Sequence, residues 1–336
     1  FIGTTNFASH NFEGTTDYRD WMFQWAFAGT AATIVSGCLA ERTQIIAYLV
    51  FSVFITAFIY PFVVHWTWGG GWLADRGYTD FAGSGIVHLV GGVAGLIGCK
   101  IVGPRLDRFQ DGKKDEFKPH NVPMVVLGTL ILWFGWYGFN CGSTLSATGE
   151  NEQLISKVGM NTTLAAAAGG LICFILHAIR NKNTKDRYNI SPLTNGILAG
   201  LVSITAGCNG VEPYGAFIIG TLGGIVYYNI SALMLRLQLD DPLDAFAVHG
   251  GCGAWGVIAV SFFDTNKGLF YGHNADLLGE QLLGIFVIVL WTALWTFIVF
   301  QSLHKLNLLR ISMDEEKEGI DSVEHGGRAY HITNDI

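Results

Sequence analysis

Half of the 336 residues are hydrophobic and only 14% are charged, with a formal net charge of −7. An ordinary soluble domain carries about 25% charged residues, and neither sign here forms the long run or basic stripe that would track a phosphate backbone, so a large soluble core and nucleic-acid binding are both disfavoured. The six cysteines are scattered through apolar sequence without metal-ligand or scaffold spacing, which argues against a zinc module or a disulfide framework.

A spanning helix needs roughly 20 apolar residues, because an ionic side chain at the bilayer centre is costly. In chain order, a polar segment, 1–20, begins at Phe1 with no signal-like start, so the chain reads as a fragment. Stretches free of Asp, Glu, Lys and Arg follow at 21–40, 43–74, 81–99, 119–149, 158–179, 188–211, 213–235, 245–263 and 281–304, and predict nine transmembrane helices. The second and fourth are too long for one helix, so the sequence from Trp66 to Trp72 and from Asn140 to Ser143 is expected to form irregular ends at headgroup depth. Gly91, Gly92, Gly95 and Gly98 give the third stretch the small-residue spacing of closely packed spanning helices. Asn161-Thr162-Thr163 is a glycosylation sequon too close to a helix start to be a good acceptor, and Cys141 and Cys208 are the one cysteine pair that a shared face leaves open to bridging. A polar tail, 305–336, ends the chain.

Lys and Arg concentrate in cytoplasmic loops. Placing the N-terminus outside puts sixteen of the twenty on the inner side, including Arg42, Arg105, Arg108, Lys113, Lys114, Arg180, Arg236, Lys305, Arg310 and Arg328. The reading is therefore an extracellular loop, 1–20, one membrane domain, 21–304, and a cytoplasmic tail, 305–336.

Transporters often contain inverted repeats that meet at the substrate site. Asp80 precedes a Val87-His88 dipeptide by the same spacing at which Asp241 precedes Val248-His249, on the third and eighth expected helices. Five spans apart, these helices cross in opposite directions, and at ~1.5 Å per residue each His lies about 12 Å from its own boundary Asp. In a core of about 30 Å the two histidines reach similar depth. Polar groups there mark pathways by default. His65 and His177, nearer helix ends, read as interfacial. No nucleophile–base pair, metal cluster or phosphate-cradling loop appears, so an enzyme is disfavoured and no cofactor or metal is expected.

The segments Asp80-Phe81-Ala82-Gly83-Ser84-Gly85, Gly135-Trp136-Tyr137-Gly138-Phe139-Asn140 and Asp240-Asp241-Pro242 through His249-Gly250 resemble signatures of the ammonium transporter (Amt/Rh) family, closest to its plant-like branch. Ala40-Glu41-Arg42 and the tail from Leu309 to Gly327 fit the same pattern. The resemblance implies an all-α polytopic membrane protein with inverted five-helix repeats, of which this chain would hold nine of eleven spans. It also implies a homotrimer in the plasma membrane with one pore per subunit, moving ammonium or ammonia, with methylammonium as analogue. By the same resemblance Trp68 and Ser143 recruit ammonium with Asp80 organising the site, Phe27 and Phe139 form a gate, and Trp136 lines the wall. Cation recruitment is then followed by deprotonation and passage along His88 and His249. Gly319 and Asp321 fall in a tail segment that couples subunits. Val323 stands where a phosphorylatable Thr is often found, with Ser322 beside it. A sensor signalling through the tail, and a conduit for another small neutral solute, are the rival readings.

Overall fold

In the computed structural model of the chain, residues 1–3, 9, 12–112 and 117–327 are described. Lys113, Lys114 and Arg328, counted above among the inner-side charges, and the end of the tail lie outside them. The chain is helical: α1 (Thr15–Leu39), α2 (Ile45–Trp66), α3 (Trp72–Arg76), α4 (Ser84–Val102), α5 (Val122–Gly142), α6 (Asn151–Arg180), α7 (Ser191–Thr205), α8 (Pro213–Arg236), α9 (Phe246–Phe263), α10 (Asp276–Lys305), α11 (Met313–Glu318) and α12 (Ile320–Val323).

Local chemistry sets several of these boundaries. The Asn121 side chain accepts from the Met124 amide, and Pro sits in the first turn of α5, α7 and α8, where its missing N–H costs nothing. Residues 67–71 form a turn leading into the short α3, as the excess length of that stretch implied. Asn140 to Gly142, expected to be irregular, instead continues α5 to its last turn.

Among the described residues eight helices are long and apolar enough to cross a membrane, one fewer than expected. The stretch 188–211 forms α7, with only 15 residues, or about 22 Å at 1.5 Å per residue. Buried between α6 and α8, α7 has little lipid to meet. Its end is finished by other chain segments: the amides of Phe81 and Ala82 donate to the Ala206 and Thr205 carbonyls at 2.9 and 3.1 Å. The Ala206 amide in turn donates to the Ser84 hydroxyl at 2.7 Å. Groups that a longer helix would pair internally are thus paired across the fold.

Helices α6, α7 and α8 form one tightly packed group, and α1, α4 and α10 another. Small residues allow the approach: a Cβ at Gly200 would stand 2.1 Å from the Ala165 carbonyl oxygen of α6, and one at Gly95 would stand 2.5 Å from Cys38 Sγ of α1. The outside of the bundle is apolar, with Ile131 and Phe134 of α5 among its exposed side chains. All six cysteines are free thiols. Asn161 is fully buried and donates to the Cys208 and Val211 carbonyls, so it is a packing residue and no glycan acceptor.

Candidate functional site

Two interrupted helices build the centre of the molecule. α4 opens with a π-helical turn over Ser84–Leu89, and α9 opens with another over Phe246–Gly251. Each turn carries one of the paired histidines, and each is preceded by its boundary Asp. A π turn widens the backbone and re-aims its side chains, and such turns recur at functional sites.

The helices bearing these turns meet where both lack side chains. A Cβ at Gly92 would lie 2.2 Å from the Gly250 amide nitrogen, and one at Gly253 would lie 2.5 Å from the Ser84 carbonyl oxygen. With the backbones this close, His88 Nδ1 and His249 Nδ1 stand 3.1 Å apart, their rings 19° from parallel. One nitrogen must donate and the other accept, so at least one ring is neutral. His88 is 1% exposed, and its Nε2 has no hydrogen-bond partner. His177, read above as interfacial, sits in the last turn of α6, where it is buried and its Nε2 lies 2.8 Å from the Asp186 carbonyl oxygen.

From the histidines a column of rings runs towards the Ser143 end of the bundle. Trp136 stacks on His88 at 5.1 Å and 13°, its indole N–H donating to the Thr205 hydroxyl at 2.9 Å. Phe139, one turn further along α5, lies 5.3 Å from the His88 ring and stacks on Phe27 of α1 at 3.9 Å and 17°. Trp68 meets Phe27 edge-on at 5.7 Å. The Ser143 hydroxyl donates to the Phe139 carbonyl at 2.8 Å, which leaves its lone pairs free to accept.

Asp80 lies under this end and is fully engaged. Its Oδ1 accepts from the amides of Gly83 and Ser84, and its Oδ2 from those of Gly85 and Ile86, at 2.8 to 3.1 Å. A single carboxylate thereby caps the opening turn of α4, where the helix dipole favours negative charge. The Asp80 carbonyl also accepts from the Trp68 indole at 2.8 Å, tying the indole to the same turn. Asp241, its counterpart in the repeat, caps more sparsely: Oδ2 accepts from the Phe246 amide at 2.7 Å and Oδ1 is buried without a partner.

The chain as a whole is similar to known proteins. Residues 1–330 fit the sequence pattern of the Ammonium Transporter Family. The chain belongs to that family. An Arabidopsis thaliana protein called putative ammonium transporter 1 member 5 is 43% identical, over 98% of this chain and 73% of its own length. Rice ammonium transporter 1 member 1 is 42% identical over 98% and 72%. Among solved structures, one described as a sensor Amt protein superposes with a TM-score of 0.82 at 37% identity, covering 91% of this chain and 76% of its own. Saccharomyces cerevisiae Mep2 superposes at 0.78 with 32% identity, covering 86% and 68%. The chain is therefore a helical membrane protein of the ammonium transporter fold, and its substrate is ammonium.

At the opposite end of this transporter an ionic network escapes notice in the sequence, because its members are far apart in the chain. Asp240, 2% exposed, accepts from the Arg105 guanidinium on both oxygens and from the Arg105 amide, with Arg108 at 3.2 Å. Burial alone would raise the Asp240 carboxyl, but the hydrogen bonds from Arg105 outweigh it and hold the group below the ordinary carboxylate range. Arg105 also pairs with Glu41, while the fully buried Arg42 donates to the Asp240 carbonyl at 2.6 Å. The tail joins this face through Arg310, which donates to the Val102 and Pro104 carbonyls and pairs with Glu316 at 2.8 Å. Gly319, with φ +97°, makes the break between α11 and α12. Asp321 is exposed, its carbonyl accepting from the Gly327 amide. Neither touches the ring column.

Proposed function

We propose that ammonium is held against the Trp68 indole and the Ser143 hydroxyl, gives up its proton to water on the entrance side of the Phe27–Phe139 stack, and passes as ammonia along His88 and His249. One observation carries the proposal: the two imidazoles bond to each other at 3.1 Å while His88 Nε2, buried in an apolar setting, has no partner. An unmet buried polar atom costs about 1–3 kcal/mol. Ammonia, which both donates and accepts, meets that need.

The ring column selects on charge. A cation entering it would surrender hydration worth many kcal/mol, while neutral ammonia surrenders little. At the entrance the reverse holds, since a cation over an indole face gains about 0.5–2 kcal/mol and a hydroxyl oxygen accepts one of its hydrogen bonds. Asp80, with all four of its bonds directed to backbone amides, acts on the site by fixing the α4 turn and the Trp68 indole. Phe27 and Phe139 close the lumen between these zones, and Trp136 walls the first histidine.

The charge distribution supports an N-terminus outside and a cytoplasmic tail, and the apolar exterior of α5 supports burial against lipid or neighbouring subunits of a homotrimer in the plasma membrane. The network joining Arg310 and Glu316 to the loop at Arg105 supports a regulatory role for 305–336, with Gly319 and Asp321 in its coupling segment. Likeness to a sensor Amt protein favours one second reading, ligand sensing through that tail without appreciable flux. Uptake of methylammonium by cells lacking their own ammonium uptake separates the two. Transport gives entry above vector controls, weakened at low substrate by Trp68→Leu, and a pure sensor gives none.

A further inference from the structure

On the tail-bearing end, away from the ring column, a cavity of about 540 Å³ opens between the last turns of α6 and α8 and the first turn of α7. Its volume falls within the range of small-ligand sites. Two carboxylates line it. Asp186 is engaged on both oxygens, by the Asn189 side-chain amide at 3.0 Å and His177 Nε2 at 3.4 Å. Asp244 Oδ2 accepts from the Tyr227 and Ser231 hydroxyls at 3.0 and 2.9 Å, and no cation pairs with Asp244 among the described residues. Two guanidiniums also line it, Arg180 and Arg236, the last residues of α6 and α8. Both are exposed and form no ion pair among the described residues.

The charges left without an ionic partner are therefore the two guanidiniums at the helix ends and the Asp244 carboxylate. A simple anion would meet the Asp244 carboxylate, and a simple cation would have to pass two arginines. A zwitterion satisfies both. The depth narrows its identity: on the same terminal turns Ile179, Leu233 and Leu237 expose large apolar side chains, so the arginines stand where acyl chains give way to headgroups.

We propose that this cavity holds the headgroup of an aminophospholipid, its phosphate against Arg180 and Arg236 and its primary ammonium on Asp244. Arginine at helix ends is suited to phosphate oxygens, and a primary ammonium can donate to a carboxylate whose Oδ2 is already oriented by two hydroxyls. A quaternary ammonium, with no N–H, cannot make that bond. The site thus discriminates phosphatidylethanolamine from phosphatidylcholine.

The test is native mass spectrometry of the intact, delipidated protein titrated with phosphatidylethanolamine, phosphatidylcholine or short-chain phosphatidylethanolamine. One phosphatidylethanolamine per subunit is expected to bind about tenfold more tightly than phosphatidylcholine, the scale of one charge-assisted hydrogen bond. Asp244→Asn should abolish the preference, while Arg180→Gln with Arg236→Gln, at exposed unpaired positions, should weaken both lipids alike. Equal binding of the two lipids, or retention untouched by the double arginine variant, overturns the proposal. Free O-phosphoethanolamine separates the sources: binding as tight as that of the short-chain lipid would assign the cavity to a soluble zwitterion and overturn the lipid assignment. Lipid occupancy is read without transport, so neither outcome depends on the pore mechanism.

Discussion

At the scale of single residues, the histidine pair was the most legible feature of the sequence. The matched spacing of Asp80 to His88 and Asp241 to His249 put both imidazoles at similar depth on opposed helices, and the structure brings their Nδ1 atoms to 3.1 Å. Phe27 and Phe139 stood out among 23 phenylalanines only through family resemblance, because nothing in periodicity separates a gate ring from a lipid-facing one. Their 3.9 Å stack is a product of tertiary packing between α1 and α5. Trp68 supplies a prediction at this scale. Trp68→Leu removes the cation–π face, so the concentration for half-maximal methylammonium uptake should rise about 2- to 30-fold, matching about 0.5–2 kcal/mol, with little change at saturation. Asp80→Asn can accept at only one oxygen and loses the charge that four amides converge on. Losing one or two of those bonds costs about 1.5–3 kcal/mol each, so thermal unfolding in detergent should shift down, and a variant as stable as the parent would contradict a capping role.

At the scale of elements, apolar length located the spans well but not their irregularities. The π turns of α4 and α9 carry no compositional mark, and α7 fell short of its charge-free stretch because Phe81, Ala82 and Ser84 complete its end from elsewhere in the chain. Glycine content hinted at close packing, yet only the fold shows which glycine matters most. Gly92 faces the Gly250 backbone, and neither backbone can yield as a side chain would. Gly92→Ala should cost about 1–3 kcal/mol of stability from overpacking and should reduce uptake by displacing His249 from His88. Gly279→Ala in α10, with open space around the new Cβ, should leave uptake and melting unchanged. Equal melting of the two variants would show that the crossing tolerates a methyl group and does not set the histidine distance.

At the scale of the whole molecule, the tail-bearing face is held by charges that lie 135 residues apart in the case of Arg105 and Asp240, a separation that hides the network from any local pattern. Breaking a buried pair strands its partner, so Asp240→Asn should destabilise the protein by about 3–5 kcal/mol, read by denaturation in detergent. The pH dependence has a fixed sign. Asp240 is held below its ordinary value in the folded protein, so its contribution is complete above about pH 5 and is lost as pH falls through the depressed folded value. Asp240→Asn should remove that acid-side loss, leaving a flatter profile below about pH 5.

The pathway through the two imidazoles is tested most directly by methylammonium uptake in cells without ammonium uptake of their own, comparing the parent with His88→Ala and His249→Ala at matched surface expression. Loss of the Nδ1–Nδ1 bond and of the unpartnered Nε2 should lower uptake at least about tenfold, the equivalent of 1.4 kcal/mol in the barrier. Undiminished uptake by correctly folded His88→Ala protein would show that ammonia does not travel along these rings.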